Sequence, residues 1–307
     1  MGARNDTARR RRAGIAILGF AGTILLALFA TGARAWSDHR GETSYYVSIG
    51  DSYAAGYRPD GHSGTTTGDG FAYQVLDSLR RDGNWELANF GCTGQTAYGM
   101  QYDNGCAQGA LAAGGVDYPS RTQEAAALQF IDAHRDHLGL VTVAMGGNDI
   151  MQCLNFDDVV TAQRCAEQKS AEIRQSLGNF LTQVRTLVGD TVPIVGVSYI
   201  NVFRATNLVG LSGDDRKAAL SEVLFANYLN PTLRETYAQF GAHFVDSTTL
   251  AGGDLTDTQM SKLPDDGTVT TTTAWVCELT YYCSDHDPHP NREGHALIAR
   301  GIEAAIR

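Results

Sequence analysis

Between Leu138 and Met145 the chain is almost continuously apolar, and it then breaks into Gly146-Gly147-Asn148-Asp149. Such a run is what a strand looks like when it lies in a parallel sheet covered on both faces. Parallel neighbours need long crossovers, so strands must alternate with helices. The rest of the chain has that rhythm. Strands are expected at 44–50, 85–89, 192–200 and 243–246. Helical periodicity is expected at 71–80, 122–135, 168–188 and 292–306, and over 214–240 with a break at Asn230-Pro231. Three stretches show no clear period: 57–70, 95–121 and 247–285, the last holding the threonine-rich 268–273. No linker or internal repeat interrupts the alternation. The expected fold is one α/β domain, a three-layer sandwich around a five-stranded parallel sheet, spanning residues 36–307.

Residues 1–35 read separately. Four arginines, 9–12, precede an apolar run from Gly14 to Ala30, and Ala33-Arg34-Ala35 follows. This is the pattern of a signal peptide with its cleavage site; the other reading is a retained N-terminal membrane anchor. Either one takes the body out of the cytoplasm. Without that segment the balance is 18 basic to 33 acidic residues, which disfavours nucleic acid and anionic membrane surfaces as partners. Six cysteines lie beyond it, and an even count in an exported chain implies disulfides. Their close spacing predicts Cys92–Cys106, Cys153–Cys165 and Cys277–Cys283, each closing a loop.

Polar residues sit at the turns that end these strands. Ser52 follows Gly50-Asp51, Gly94 follows Asn89-Phe90-Gly91, Asn148 follows Leu138–Met145, and His289 precedes the last helix. In a parallel sheet the strand ends share one edge, where ligands bind. Acyl transfer needs a nucleophile, a base and donors for an oxyanion. Ser52 and His289 supply the first two. The Ser52 N–H, the Gly94 N–H and the Asn148 amide supply the donors. Taken singly, Ser52 and Asn148 read as helix caps, Gly94 as a turn glycine and His289 as a surface histidine. Aromatics in the unpatterned stretches, Tyr57, Phe71, Tyr98, Tyr102 and Tyr118, are candidates to wall an apolar pocket.

Gly50-Asp51-Ser52-Tyr53 resembles the first motif block of the SGNH hydrolases, the GDSL-type esterases and lipases. Asn89-Phe-Gly-Cys-Thr-Gly94 resembles their second block, Gly146-Gly-Asn148-Asp149 their third, and His289-Pro-Asn291 with Gly294 their fifth. The blocks occur in family order across about 45–305, and the cysteine pairs are similar to those of secreted actinobacterial members. The resemblance implies a flavodoxin-like SGNH fold, a serine ester hydrolase, Ser52 as nucleophile, His289 as base and no cofactor. It also implies a small ester or lipid as substrate. Two positions depart from the pattern. Tyr53 stands where the first block usually has leucine. His286 stands where the family usually has the aspartate that orients the histidine. Asp287 or a backbone carbonyl near His286 then takes that role, with Asp285 a third choice.

Other readings are weaker on the same residues. Asp285-His286-Asp287-Pro288-His289 invites a metal, but no other region offers partners at motif spacing. His134 and His137 read as solvated charge. A carbohydrate O-deacetylase on the same site is an alternative, as is a non-catalytic cell-surface binding protein on this fold. A monomer is expected. Neither G-x-x-x-x-G-K-[ST] nor G-x-S-x-G occurs, which excludes a P-loop enzyme and the α/β-hydrolase elbow.

Overall fold

The structure is a computed structural model that describes residues 42–62, 64–155, 158–206, 208, 214–253, 259–263 and 267–307. The predicted signal or anchor segment lies outside the described residues. From Thr43 to Arg307 the chain forms one unit, built on strands β1 (Ser44–Gly50), β2 (Trp85–Asn89), β3 (Leu138–Ala144), β4 (Ile194–Val197) and β5 (His243–Val245). They pair in the order β2-β1-β3-β4-β5, every pair parallel. Both faces are covered, so Tyr46, Ile49, Leu140, Val143, Ile194 and Val197 are fully buried. The order reverses between β1 and β3. That switch point leaves a crevice at the strand C-termini.

Helices fill the crossovers. Helix α1 (Ser52–Ala55) is a single turn directly after β1; α2 (Phe71–Leu79), α3 (Ala97–Tyr102) and α4 (Gln123–His134) lead on to β3. Helices α5 (Gly147–Met151) and α6 (Val159–Val188) follow β3, then α7 (Asp214–Leu224) and α8 (Asn230–Gln239) precede β5. Helices α9 (Ser247–Leu250), α10 (Thr271–Leu279), α11 (Tyr282–Asp285) and α12 (Arg292–Ala305) complete the chain. Helices α2 and α12 pack together on one face, and α4, α6 and α8 cover the other.

The five strands and five long helices stand where the pattern predicts them, and the differences have local causes. Helix α6 begins nine residues early, because Asp158 caps it by accepting from the Val160 and Thr161 N–H groups. Its first turns bury only Ala162 and Ala166, residues too small to show a period. Helix is not broken at Pro231; a π-helical turn, Phe225–Leu229, precedes it. The widened turn makes room for a ring that carries no N–H donor. The unpatterned stretches hold short elements instead of loop alone: a Tyr57–Arg58/Thr65–Thr66 hairpin, α3, α9, a Met260–Leu263/Gly267–Thr270 hairpin, α10 and α11. The threonine run divides between that second hairpin and α10, with the Thr270 hydroxyl capping the helix. His137 is exposed, while His134 is half-buried and its ring packs at a tilt against Tyr45 and Phe130, with ring centroids at 4.2 and 4.3 Å.

The three expected disulfides, Cys92–Cys106, Cys153–Cys165 and Cys277–Cys283, are present. Cys153 is fully buried in the core, so this bond anchors α6 to the chain after α5 and does more than close a loop. Among the described residues no helix is long and apolar enough to cross a membrane.

Close packing under β4 yields a test. A Cβ on Gly196 would lie 2.1 Å from the Tyr237 ring, whereas one on Gly178 of α6 meets nothing within 4 Å. Gly196→Ala is expected to lower the unfolding free energy by about 1–3 kcal/mol. Gly178→Ala is expected to raise it by about 0.5–1 kcal/mol, since alanine suits a helix interior better. Urea unfolding with the disulfides intact measures both.

Candidate active site

The first strand ends in a contact that a side chain would forbid. Gly50 has φ +152°, and a Cβ there would sit 2.2 Å from the Ala144 carbonyl oxygen at the end of β3. The same oxygen accepts the Asp51 N–H at 3.0 Å. The chain then enters α1, whose cap is the Asp51 carboxylate accepting the Tyr53 N–H at 3.0 Å. Ser52 becomes the first residue of that turn, 5% exposed. Its own N–H is one of the donors a helix start leaves unpaired inside the helix.

Asp51 is buried at the flank of Ser52. Its second oxygen accepts the Tyr199 O–H at 2.6 Å. Burial pushes its carboxyl up to about 7, although the Tyr199 and Tyr53 hydrogen bonds and the nearby His289 oppose that. Tyr53, in the usual leucine position, packs edge-on against Tyr199 and accepts the Ile200 N–H at 3.4 Å. The larger residue thus braces the segment that leaves β4.

The second and third blocks are tied to each other. Asn89 donates to the Ala54 carbonyl and accepts the Gly91 N–H, which fixes the turn after β2. Gly94 follows with φ +85°, exposed, and nothing stands within 4 Å of where its Cβ would lie. After β3, Asn148 occupies the first turn of α5, and its Nδ2 donates to the Gln95 carbonyl at 2.8 Å. That bond uses one of two amide hydrogens, and the second remains for another acceptor. Asp149 is fully buried and accepts the Ala97 N–H at 3.0 Å. Burial raises its carboxyl, with the Ala97 bond opposing.

The fifth block is a local construction. His286 adopts φ +55°, the one left-handed non-glycine among the described residues, and turns Asp287 inward. One Asp287 oxygen accepts the His289 backbone N–H at 3.0 Å and lies 2.7 Å from His289 Nδ1. Asp287 thus stands in the orienting position, not a carbonyl near His286, and Asp285 instead accepts from Ser284. Burial alone would raise the Asp287 carboxyl, but hydrogen bonding and charge from His289 hold it below the ordinary range. With the Nδ1 proton directed at that carboxylate, Nε2 is the acceptor. It lies 2.8 Å from Ser52 Oγ. The Tyr57 ring packs on the imidazole at 4.2 Å. Asn291 caps α12 through the Glu293 and Gly294 N–H groups. Gly294 lets α12 approach α10, since a Cβ would lie 2.1 Å from the Leu279 carbonyl oxygen.

The structure therefore brings Ser52, Asp287 and His289 into one hydrogen-bonded row, and it sets Asn148 beside Ser52 in the same crevice. Of the proposed wall aromatics only Tyr57 touches a row member. Phe71 and Tyr118 are core residues, and Tyr98 and Tyr102 are exposed and stack on each other. The crevice wall is built from residues that were not singled out: Met151, Tyr199, Ile200, Val202, Phe203 and Phe225. The strand-end rule that found Ser52 and Asn148 applies equally to β4. Its expected extent to residue 200 hid the segment that leaves the sheet after Val197. Among the described residues no cluster of metal-ligating side chains occurs.

The profile of the GDSL-like lipase/acylhydrolase family matches residues 48–297. Among solved structures, the fold is similar to that of an extracellular lipase from Streptomyces rimosus. It is 14% identical, with TM-score 0.52, and the match covers 85% of this chain and 99% of that one. A lipase from a goat rumen metagenome, also 14% identical, has TM-score 0.54 over 85% of this chain and 97% of that one. No curated protein sequence matches the chain.

The buried Asp51 makes stability depend on pH. A carboxyl raised in the folded state contributes stability below its unfolded pKa, and that contribution is lost as pH rises through about 7. Asn at this position does not titrate. The difference in unfolding free energy between the parent chain and Asp51→Asn is therefore expected to be larger at pH 5 than at pH 8. Urea midpoints at the two pH values test it; an unchanged difference refutes the assignment to Asp51.

Proposed function

Because this chain belongs to the GDSL-like lipase/acylhydrolase family and is thereby a carboxylic ester hydrolase, we propose that it acts through an acyl-enzyme on Ser52. The observation that carries the reading is the unbroken row from Ser52 Oγ to His289 Nε2, 2.8 Å, and from His289 Nδ1 to Asp287, 2.7 Å. Ser52 Oγ attacks the ester carbonyl while His289 Nε2 takes its proton. The imidazolium so formed is stabilised by the Asp287 carboxylate, which keeps its own proton off. The tetrahedral oxyanion takes hydrogen bonds from the Ser52 N–H, the Gly94 N–H and the free Asn148 amide hydrogen. His289 then gives its proton to the departing alcohol. In the second half it deprotonates a water that releases the acid, and Ser52 is regenerated. No cofactor enters this scheme.

The substrate in this reading is a small carboxylic ester or lipid. Three disulfides support a site of action outside the cytoplasm. Residues 1–35 carry the chain there as a signal peptide or an N-terminal anchor.

Ser52→Ala is expected to abolish p-nitrophenyl ester hydrolysis and covalent labelling by a fluorophosphonate, with the circular dichroism of the parent retained. Asn148→Ala is expected to keep labelling detectable and lower turnover by roughly 10²–10³. A folded Ser52→Ala enzyme with undiminished turnover would sink the proposal, and a parent that takes no label would point to the binding-protein alternative.

A further inference from the structure

Ser52 lines a cavity of about 80 Å³ to which α5, the segment after β4 and the π-helical turn also contribute walls. Its polar lining comes from Asp51, Ser52, Tyr53, Asn148, Tyr199 and His289. Its apolar lining comes from Met151, Ile200, Val202, Phe203 and Phe225. The Tyr199 hydroxyl also faces this region, but it is committed to Asp51. The Asp51 oxygens are taken by the Tyr53 N–H and the Tyr199 O–H, and the Tyr53 oxygen accepts the Ile200 N–H, so little polar capacity is left for a sugar hydroxyl or a charged group, whereas a hydrocarbon chain fits the apolar lining.

We infer that this cavity is the acyl site and that Phe203 and Phe225 close it at an acyl group of about four carbons. The inference rests on the serine-hydrolase reading above. The two halves of an ester have different needs. The alcohol must receive a proton from His289 and leave to solvent. The acyl half stays on Ser52 through the first half-reaction, so the apolar space beside Ser52 suits it. Size sets the limit. An apolar cavity of about 150 Å³ holds one benzene, six carbons, so about 80 Å³ holds roughly three. With the carbonyl carbon held outside at Ser52, three alkyl carbons make a butyryl group.

Phe203 and Phe225 are both packed in place. Phe203 and Phe225 are 4% and 5% exposed. Phe203 lies edge-on to Tyr282 at 5.9 Å, and the Lys217 ammonium stands 5.1 Å from its ring centre. Phe225 opens the π-helical turn, which is held just beyond by Asn230, whose Nδ2 donates to Asp246 and Thr248. Close-packed side chains of this kind resist opening for a longer chain.

A p-nitrophenyl ester series from acetyl to dodecanoyl, assayed on the purified chain, tests the limit. The expected kcat/KM peaks at butyrate and falls at least tenfold by octanoate. Phe225→Ala is expected to raise the octanoate-to-butyrate ratio at least tenfold. Phe225 is buried and this variant risks misfolding, so Met151→Trp supplies the opposite change from a half-buried position. It should lower butyrate at least tenfold relative to acetate. A parent optimum at decanoate or longer overturns the inference, as does an unchanged acetate-to-butyrate ratio in folded Met151→Trp. A small ethyl fluorophosphonate separates the two levels. Labelling of Ser52 with the wrong chain-length profile rejects the acyl site alone, whereas no labelling and no hydrolysis of any ester rejects the serine-hydrolase reading and the acyl site with it.

Discussion

A single hydrogen bond, from the Asp51 N–H to the Ala144 carbonyl, joins the ends of the two strands between which the sheet reverses its order. It forms because Gly50 has no side chain to keep that carbonyl away. Gln123, wholly buried at the start of α4, adds a second tie by donating to both the Gly50 and Phe90 carbonyls. The ends of β1, β2 and β3 are thus held at fixed spacing, and with them the turns that carry Ser52, Gly94 and Asn148. In the proposed reaction, oxyanion stabilisation depends on donors that need not move when charge develops. Here the sheet itself supplies that rigidity.

Asp51 shows how the same edge manages charge. Its carboxyl lies beside the residue at which an oxyanion would form, so a second negative charge there would oppose the reaction. Burial disfavours the ionised form, while Tyr199 and the Tyr53 N–H favour it, and the balance falls near neutrality. The pair with Tyr199 has a further effect. It holds the first residues after β4 against α1, and those residues go on to form the wall of the cavity. The motif residue that caps the helix of Ser52 therefore also positions the pocket.

The sheet, its crossovers and the four motif turns were legible in the sequence because each depends on local signals: an apolar run, a helical period, a polar residue where the run stops. The cavity wall was not. Ile200, Val202, Phe203 and Phe225 are apolar residues in a segment that leaves the sheet, a 3₁₀ turn and a π-helical turn, where no period marks a buried face. Gln123 reads as an ordinary helix residue until two distant carbonyls meet on it. The orienting group behind His289 stayed open between Asp287 and a backbone carbonyl, because the choice turns on the left-handed conformation of His286. Histidine does not announce that conformation as glycine would.

The proposed nucleophile and base are built by different means, and this sets a demand on the rest of the fold. Ser52 takes its place from the strand ends. His289 takes its direction from a turn closed on itself by Asp287, braced by Cys277–Cys283 and by the Tyr281 N–H bonded to the His289 carbonyl. Neither construction fixes the distance between the two side chains. That distance depends on how α12, which follows His289, seats on α2, which follows the turn of Ser52. The seam holds His295, buried and with its pKa lowered to about 3 by burial and by the charge of His289. The neutral ring's Nδ1 accepts the Phe71 N–H at the start of α2, at 3.2 Å. A charged histidine could not accept that bond, so the burial that keeps His295 neutral also locks the two halves of the site in register.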